Sequence, residues 1–259
     1  MFTVQRDTCT IVSKVDGPSD GHTVMLANSL GTDLRVWDHM LPHMPQECRF
    51  LRFDKRGHGL SDCPDGPYTI DKLVNDAAAV ADAVGARDVT FVGLSIGGLI
   101  GQGLALKRPD IVKRLVLMDT AAKIGTDEMW EDRIKAIKGG GISGIADAIL
   151  DRWFAPGFRG DAQAVAPWRN MLTRTPVAGY IACCQAIMRA DFTEQANKLD
   201  QPVMAMVGEA DQSTTPNIVQ ATAELYDAPC HVLPDAGHIP CVEKPTQVAK
   251  LITAFMESS

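Results

Sequence analysis

The segment Val89-Thr-Phe-Val-Gly-Leu-Ser-Ile-Gly-Gly-Leu-Ile100 constrains this chain more than any other. Its first four residues are β-branched or aromatic and predict a short buried strand. From Ile96 to Lys107 the pattern predicts a helix. Between the two, Gly93-Leu-Ser-Ile-Gly97 fits G-x-S-x-G, the pattern of a nucleophile elbow. So tight a strand-to-helix turn leaves no room for a side chain at 93 or 97. It holds the serine in strained backbone geometry with its hydroxyl in the open, and the helix directs its positive end at that hydroxyl. The run Val89–Leu106 is uncharged, yet glycines and polar residues cut it in the middle, so a buried strand–turn–helix explains it better than a membrane span.

Around this segment the chain alternates strands and helices. Strands are predicted near Phe2–Val4, Thr10–Val15, Thr23–Ala27, Arg49–Phe53, Val112–Met118, Val203–Gly208 and Cys230–Leu233. Helices are predicted over Val36–Met44, where Pro42 threatens a break, over Ile70–Val84 with Thr69 as N-cap, and after Pro216 and Pro245. The alternation implies parallel βαβ units. Between about Ala121 and Phe192 no strand is predicted. Helical periodicity covers Glu128–Lys138, Ile142–Arg152 and Val177–Arg189, and the segment is read as a lid inserted over the strand ends. The expected division is therefore a core of residues 1–120 and 193–259 with a helical cap of 121–192.

A serine nucleophile needs an imidazole to take its proton and a carboxylate to hold the imidazole's tautomer. Ser95, Asp211 and His238 follow strand ends in the order serine, acid, histidine, at the sheet edge where ligands bind. Asp119, after the preceding strand, is a rival for the acid. Of the other histidines, His231 falls within a strand. His58 lies in Asp54-Lys-Arg-Gly-His-Gly-Leu-Ser-Asp62, a glycine-rich loop suited to tying its own backbone, and is read as structural. The loop Asn28-Ser-Leu-Gly-Thr32 follows a central strand, so the amides of Leu30 and Ile96 are candidate donors to a developing oxyanion. In the lid, Trp130, Arg133, Trp153, Tyr180 and Arg189 could reach a substrate. Arg133 follows Trp130 by three residues and shares its helix face, and Arg189 is the second candidate cation.

Composition narrows the partners. A net charge of −7 argues against nucleic acid and means that an anionic substrate needs a locally positive pocket. The seven cysteines form no C-x-x-C and no clustered metal set, so reduced thiols in a cytoplasm and no metal are expected. Residues 1–10 lack the apolar core of a secretory leader.

Asn28–Asp38, Asp54-x-Arg-Gly-His-Gly-x-Ser-Asp62 and Gly93-Leu-Ser-Ile-Gly-Gly98 together resemble the α/β-hydrolase superfamily along nearly the whole chain. Thr120–Gly125 with Trp130, Trp153–Phe158 and Ala178–Cys184 make the chain similar, more narrowly, to the bacterial 3-oxoadipate enol-lactonases. The resemblance implies an eight-stranded, mostly parallel sheet flanked by helices, with a helical lid. It also implies hydrolysis of a carboxylate-bearing enol lactone to 3-oxoadipate in aromatic catabolism, with Ser95, Asp211 and His238 as triad, Leu30 and Ile96 as oxyanion amides, and no cofactor. Some relatives carry a fused decarboxylase, and none is expected here. A broad carboxylesterase or cofactor-free perhydrolase would use the same triad, and a small-molecule receptor on a hydrolase scaffold is the alternative from another class.

Overall fold

The computed structural model describes residues 1–258. Eight strands form one sheet: β1 (Phe2–Arg6), β2 (Cys9–Asp16), β3 (Thr23–Ala27), β4 (Arg49–Phe53), β5 (Val89–Leu94), β6 (Val112–Met118), β7 (Val203–Gly208) and β8 (Cys230–Leu233). Their spatial order is β1-β2-β4-β3-β5-β6-β7-β8. β2 pairs antiparallel with both β1 and β4, and every other pairing is parallel. This is the mostly parallel eight-stranded sheet expected. β3 and β5 are buried along their whole length, as strands covered on both faces must be.

The chain leaves β3 for β4 on one side, then returns past β3 to lay β5 on the other. The C-terminal ends of β3 and β5 therefore flank a switch point, where an open parallel sheet forms its ligand crevice. Helices α1 (Ile70–Ala83) and α2 (Ile96–Lys107) pack on one another, and the Thr69 hydroxyl caps α1 by accepting from the Lys72 amide at 3.2 Å. The helix expected over Val36–Met44 is instead two short 3-10 turns, Leu34–Trp37 and Leu41–His43, with Pro42 inside the second.

Between β6 and β7 only helices occur among the described residues: α3 (Asp127–Gly140), α4 (Ala146–Trp153), α5 (Pro156–Arg159), α6 (Ala162–Thr173) and α7 (Val177–Met188), with short 3-10 turns. Sequence periodicity does not predict α6, because Pro167 stands in its middle. The helix forms nonetheless. Asp161 caps it by accepting from the amides of Gln163 and Ala164, and its buried Trp168 and Leu172 lie four residues apart on one face. Beyond β7 come α8 (Pro216–Leu225), α9 (Pro240–Glu243) and α10 (Pro245–Glu257), each opening on a proline. No helix among the described residues is long and apolar enough to cross a membrane.

Candidate active site

Ser95 stands at the end of β5 with φ 58 and ψ −119, a left-handed conformation rare outside glycine. A Cβ on Gly93 would strike the backbone of Gly97 and Gly98, and one on Gly97 would strike the carbonyl of Ala27 on β3. Strand and helix thus meet too closely for side chains on either flank. The Ser95 amide donates to Met118 O at 2.9 Å, and its carbonyl accepts from the Thr120 hydroxyl at 2.7 Å and the Gly98 amide at 2.8 Å. The strained turn is held from both sides, which leaves the hydroxyl free to face a cavity.

His238 and Asp211 meet behind that cavity. His238 Nδ1 lies 2.8 Å from Asp211 Oδ2, and both residues are only 3% exposed. Asp211 Oδ2 also accepts from the Thr214 hydroxyl at 2.7 Å, while Oδ1 accepts from the amides of Ser213 at 2.7 Å and Thr214 at 3.2 Å. Four donors converge on this one carboxylate. Asp119 takes no part in that contact with the imidazole. It is fully buried, accepts from the Gly208 amide at 2.9 Å through Oδ1, and leaves Oδ2 without a partner.

The loop after β3 supplies Leu30. Neither its amide nor that of Ile96, the first residue of α2, donates to an acceptor among the described residues. Free amides beside a nucleophile are what an oxyanion site needs. The loop is held by groups that the sequence reading did not connect with it. Lys55 Nζ donates to Ser29 O at 2.6 Å and Thr32 O at 3.2 Å, and the Gly31 amide donates to His58 Nε2 at 3.0 Å. His58 is structural, as expected, but it ties Gly31 of the neighbouring loop as well as facing Arg56 O of its own. Burial keeps this imidazole neutral by pushing it well below its ordinary value, with the Lys55 charge acting the same way. Burial also pushes the Lys55 ammonium down to about 8. Gly31 has φ +78, and a Cβ there would run into Leu172 of α6, so the helical segment rests directly on this loop.

The cavity in front of Ser95 has a volume of about 60 Å³. Ser29, Leu30, Thr214 and His238 line it from below, and Trp130, Arg133, Arg152, Trp153 and Tyr180 from above. Arg133 lies over the Trp130 ring with Cζ 4.9 Å from its centroid, and the indole is fixed by donating to Ile124 O at 2.7 Å. No carboxylate lines this cavity among the described residues. Arg189 is not brought to it. Tyr180 of α7 lines the cavity, and Arg189 stands nine residues further along, about 13 Å away by helical rise. Arg152, which the sequence reading passed over, occupies the second cationic place. A larger cleft of about 840 Å³, between the loops after β3 and β4 and helix α6, contains none of Ser95, Asp211 or His238. Ser95 and His238 line the smaller cavity instead.

Glu243 of α9 ties the helical segment to the histidine loop. Its two oxygens accept from the amides of Ala155 at 2.8 Å and Gly237 at 2.7 Å. Burial outweighs these bonds and pushes the carboxyl up to about 7. Between its unfolded value of 4.5 and about 7, the folded chain holds a proton that the unfolded chain lacks, so this group's contribution to stability falls as pH rises. Relative to Glu243→Gln, wild type is expected to lose melting temperature from about pH 5 to about pH 8. Parallel melting curves across that range would contradict it.

Asp119, Asp211 and His238 carry metal-binding atom types within 4.8 Å of one another. His238 Nδ1 and the Asp211 oxygens are already engaged by hydrogen bonds, which is the geometry of an orienting pair. Turnover is expected to survive exhaustive dialysis against EDTA. Loss of activity restored by zinc or another divalent ion would show that a metal takes part.

The sequence profile of the alpha/beta hydrolase family matches residues 24–251. The chain is 33% identical to 3-oxoadipate enol-lactonase 2 of Acinetobacter baylyi, over 93% of this chain and 91% of the relative. It is 27% identical to 3-oxoadipate enol-lactonase 1 of the same organism, over 98% and 95% respectively. Among solved structures, the enol-lactonase from Burkholderia xenovorans is similar with a TM-score of 0.94 and 32% identity, covering 99% of this chain and all of that one.

Proposed function

The chain belongs to the alpha/beta hydrolase family and is a carboxylic-ester hydrolase. From this premise we propose that it opens the carboxylate-bearing enol lactone of 3-oxoadipate to 3-oxoadipate, a step of aromatic catabolism in the cytoplasm. The observation that carries this reading is the cavity itself: two arginines, one stacked on an indole, and no carboxylate, in front of Ser95 and His238. In an acidic protein, long-range attraction does not collect an anion, so recognition needs such a local cation. The enol-lactonase relatives support the same substrate. The seven cysteines, all free thiols, fit a reducing compartment.

In this mechanism Ser95 Oγ attacks the lactone carbonyl while His238 takes its proton, and Asp211 holds the imidazole with Nε2 free to do so. The amides of Leu30 and Ile96 receive the negative oxygen of the tetrahedral intermediate. Collapse expels the ring oxygen, which takes the proton back from His238 and leaves as an enol that tautomerises to the ketone within the tethered acyl group. Water activated by His238 then releases the acid. Residues 121–192 act as a cap that shields the reaction from solvent.

The test is to follow loss of enol-lactone absorbance with purified protein, and to compare kcat/KM for the lactone and its neutral methyl ester. An Arg133 bond to the substrate carboxylate is worth about 1.5–3 kcal/mol, or about 10- to 150-fold in kcat/KM. Arg133→Met is expected to narrow the gap between the two substrates by that factor, whereas Arg189→Met leaves it in place. Equal kcat/KM for both substrates in wild type would make the protein a broad carboxylesterase. Absence of turnover even with a p-nitrophenyl ester would make it a receptor.

A further inference from the structure

Asp119 carries the second carboxyl of the site, and no step above uses it. It lies at the end of β6 with φ 45, fixed by its amide donating to Met206 O at 2.9 Å. The next residue, Thr120, grips the carbonyl of Ser95. The exit of β6 therefore touches the nucleophile turn with one residue and approaches the acid with the other. Asp119 Oδ1 is used by Gly208, and Oδ2 is enclosed with no donor near it. A buried carboxylate oxygen without a donor is costly, whereas a carboxylic acid in the same place needs only an acceptor. An acceptor is close by: one carboxyl oxygen of Asp119 lies within 4.8 Å of one of Asp211, and the two side chains are placed to share a hydrogen bond.

We propose that Asp119 is a positioning residue, a carboxylic acid that donates a hydrogen bond to Asp211 and so fixes the carboxylate that orients His238. The inference rests on the triad proposed above. Burial and the neighbouring charge of Asp211 both favour the protonated form of Asp119. The other titratable groups packed around it are His238, Cys241 and Glu243. Burial pushes the Cys241 thiol well up and keeps it neutral, both Glu243 oxygens are taken by the amides of Ala155 and Gly237, and His238 Nδ1 is paired with Asp211, so Asp211 is the acceptor that remains. A neutral donor leaves the pair with a single negative charge, enough to steady an imidazolium without a second buried anion beside it.

The two possible states of Asp119 give opposite pH signatures. The acidic limb of kcat/KM against pH reports protonation of the essential base in free enzyme. If Asp119 is a neutral donor, Asp119→Asn keeps a donor toward Asp211 and an acceptor for Gly208. The limb then stays where it is in wild type, and kcat falls by less than about tenfold. If Asp119 is ionised, the same substitution removes a buried charge beside His238 and moves the limb to lower pH by about a unit or more. Asp119→Ala removes the donor altogether. The charge of Asp211 then acts undiminished on the imidazole, the limb moves to higher pH, and kcat falls about 10- to 100-fold below that of the Asn variant.

The experiment records kcat/KM against pH for wild type, Asp119→Asn and Asp119→Ala, with a p-nitrophenyl ester. An unmoved limb in Asn and a raised one in Ala support the proposal. A displaced limb in Asn overturns it, as do Ala and Asn variants that behave alike. If the Ala protein does not fold, the Asn profile alone decides. Glu243 titrates near the same range, but it is common to all three proteins and drops out of the comparison. Ser95→Ala is the control for the frame: turnover retained there sinks the triad itself, whereas a displaced Asn profile sinks only the role of Asp119.

Discussion

Ser95→Ala is expected to fold as wild type does and to lose on the order of 10⁶-fold in kcat. The first half follows from what Ser95 contributes to the fold. Its backbone makes the contacts that hold the turn: the amide to Met118, the carbonyl to Thr120 and Gly98. The hydroxyl makes none of them. Alanine keeps the Cβ, so the cost of the left-handed conformation is unchanged. The second half follows from what remains. The amides of Leu30 and Ile96, the imidazole and the arginines all stay in place, so the residual rate reports electrostatic and binding effects without covalent catalysis. Circular dichroism and melting temperature check the fold, and release of p-nitrophenol checks the rate. A folded Ser95→Ala protein with most of its turnover would remove the serine from the mechanism.

The sequence is most legible where local rules and burial agree. The helix Ile96–Lys107 and the strands Thr23–Ala27, Arg49–Phe53, Val112–Met118, Val203–Gly208 and Cys230–Leu233 keep their predicted bounds. Each is a short apolar or β-branched run, or a helix whose start a tight turn fixes. Legibility fails where tertiary packing overrides a local signal. Pro167 argues against a helix over Ala162–Thr173, yet the Asp161 cap and the burial of Trp168 and Leu172 hold the helix together. Pro42 points the other way, and there the chain gives two 3-10 turns. A single proline cannot say which outcome follows without the packing around it.

The same contrast runs through the site. Trp130 and Arg133 are three residues apart on one helix, so helix geometry alone brings them together, and they do meet. Choosing the second arginine required knowing which way separate helices face. The periodicity of α7 does not encode this, and Arg152 lines the cavity where Arg189 was expected. His58 reads as a loop residue, but its partner Gly31 lies 27 residues earlier, brought close by the parallel pairing of β3 and β4. Asp119 and Asp211 both follow strand ends, and order along the chain could not rank them. Partners separate them: Asp119 accepts from the Gly208 amide, and Asp211 faces the imidazole.

That difference in partners sets the second large effect expected, a loss of about 10⁴-fold in kcat on Asp211→Asn. An amide at 211 must direct its NH₂ either at the Ser213 and Thr214 amides or at the Thr214 hydroxyl and His238, since those four donors surround the carboxylate. The backbone amides cannot change their role. The hydroxyl can rotate, and the imidazole can move its proton to the other nitrogen. The NH₂ group therefore turns toward His238, whose Nδ1 becomes an acceptor and whose Nε2 carries the hydrogen. With its proton on that side the imidazole cannot take one from Ser95, and the base is lost while the fold is kept. Asp119→Asn meets no such conflict, because Oδ1 has one donor and Oδ2 has none. The comparison is kcat for the two folded variants, at a pH on the plateau of the wild-type profile. If Asp119→Asn proves the more damaging, the carboxylate that orients His238 during turnover is Asp119, and the 2.8 Å contact with Asp211 is not the working one.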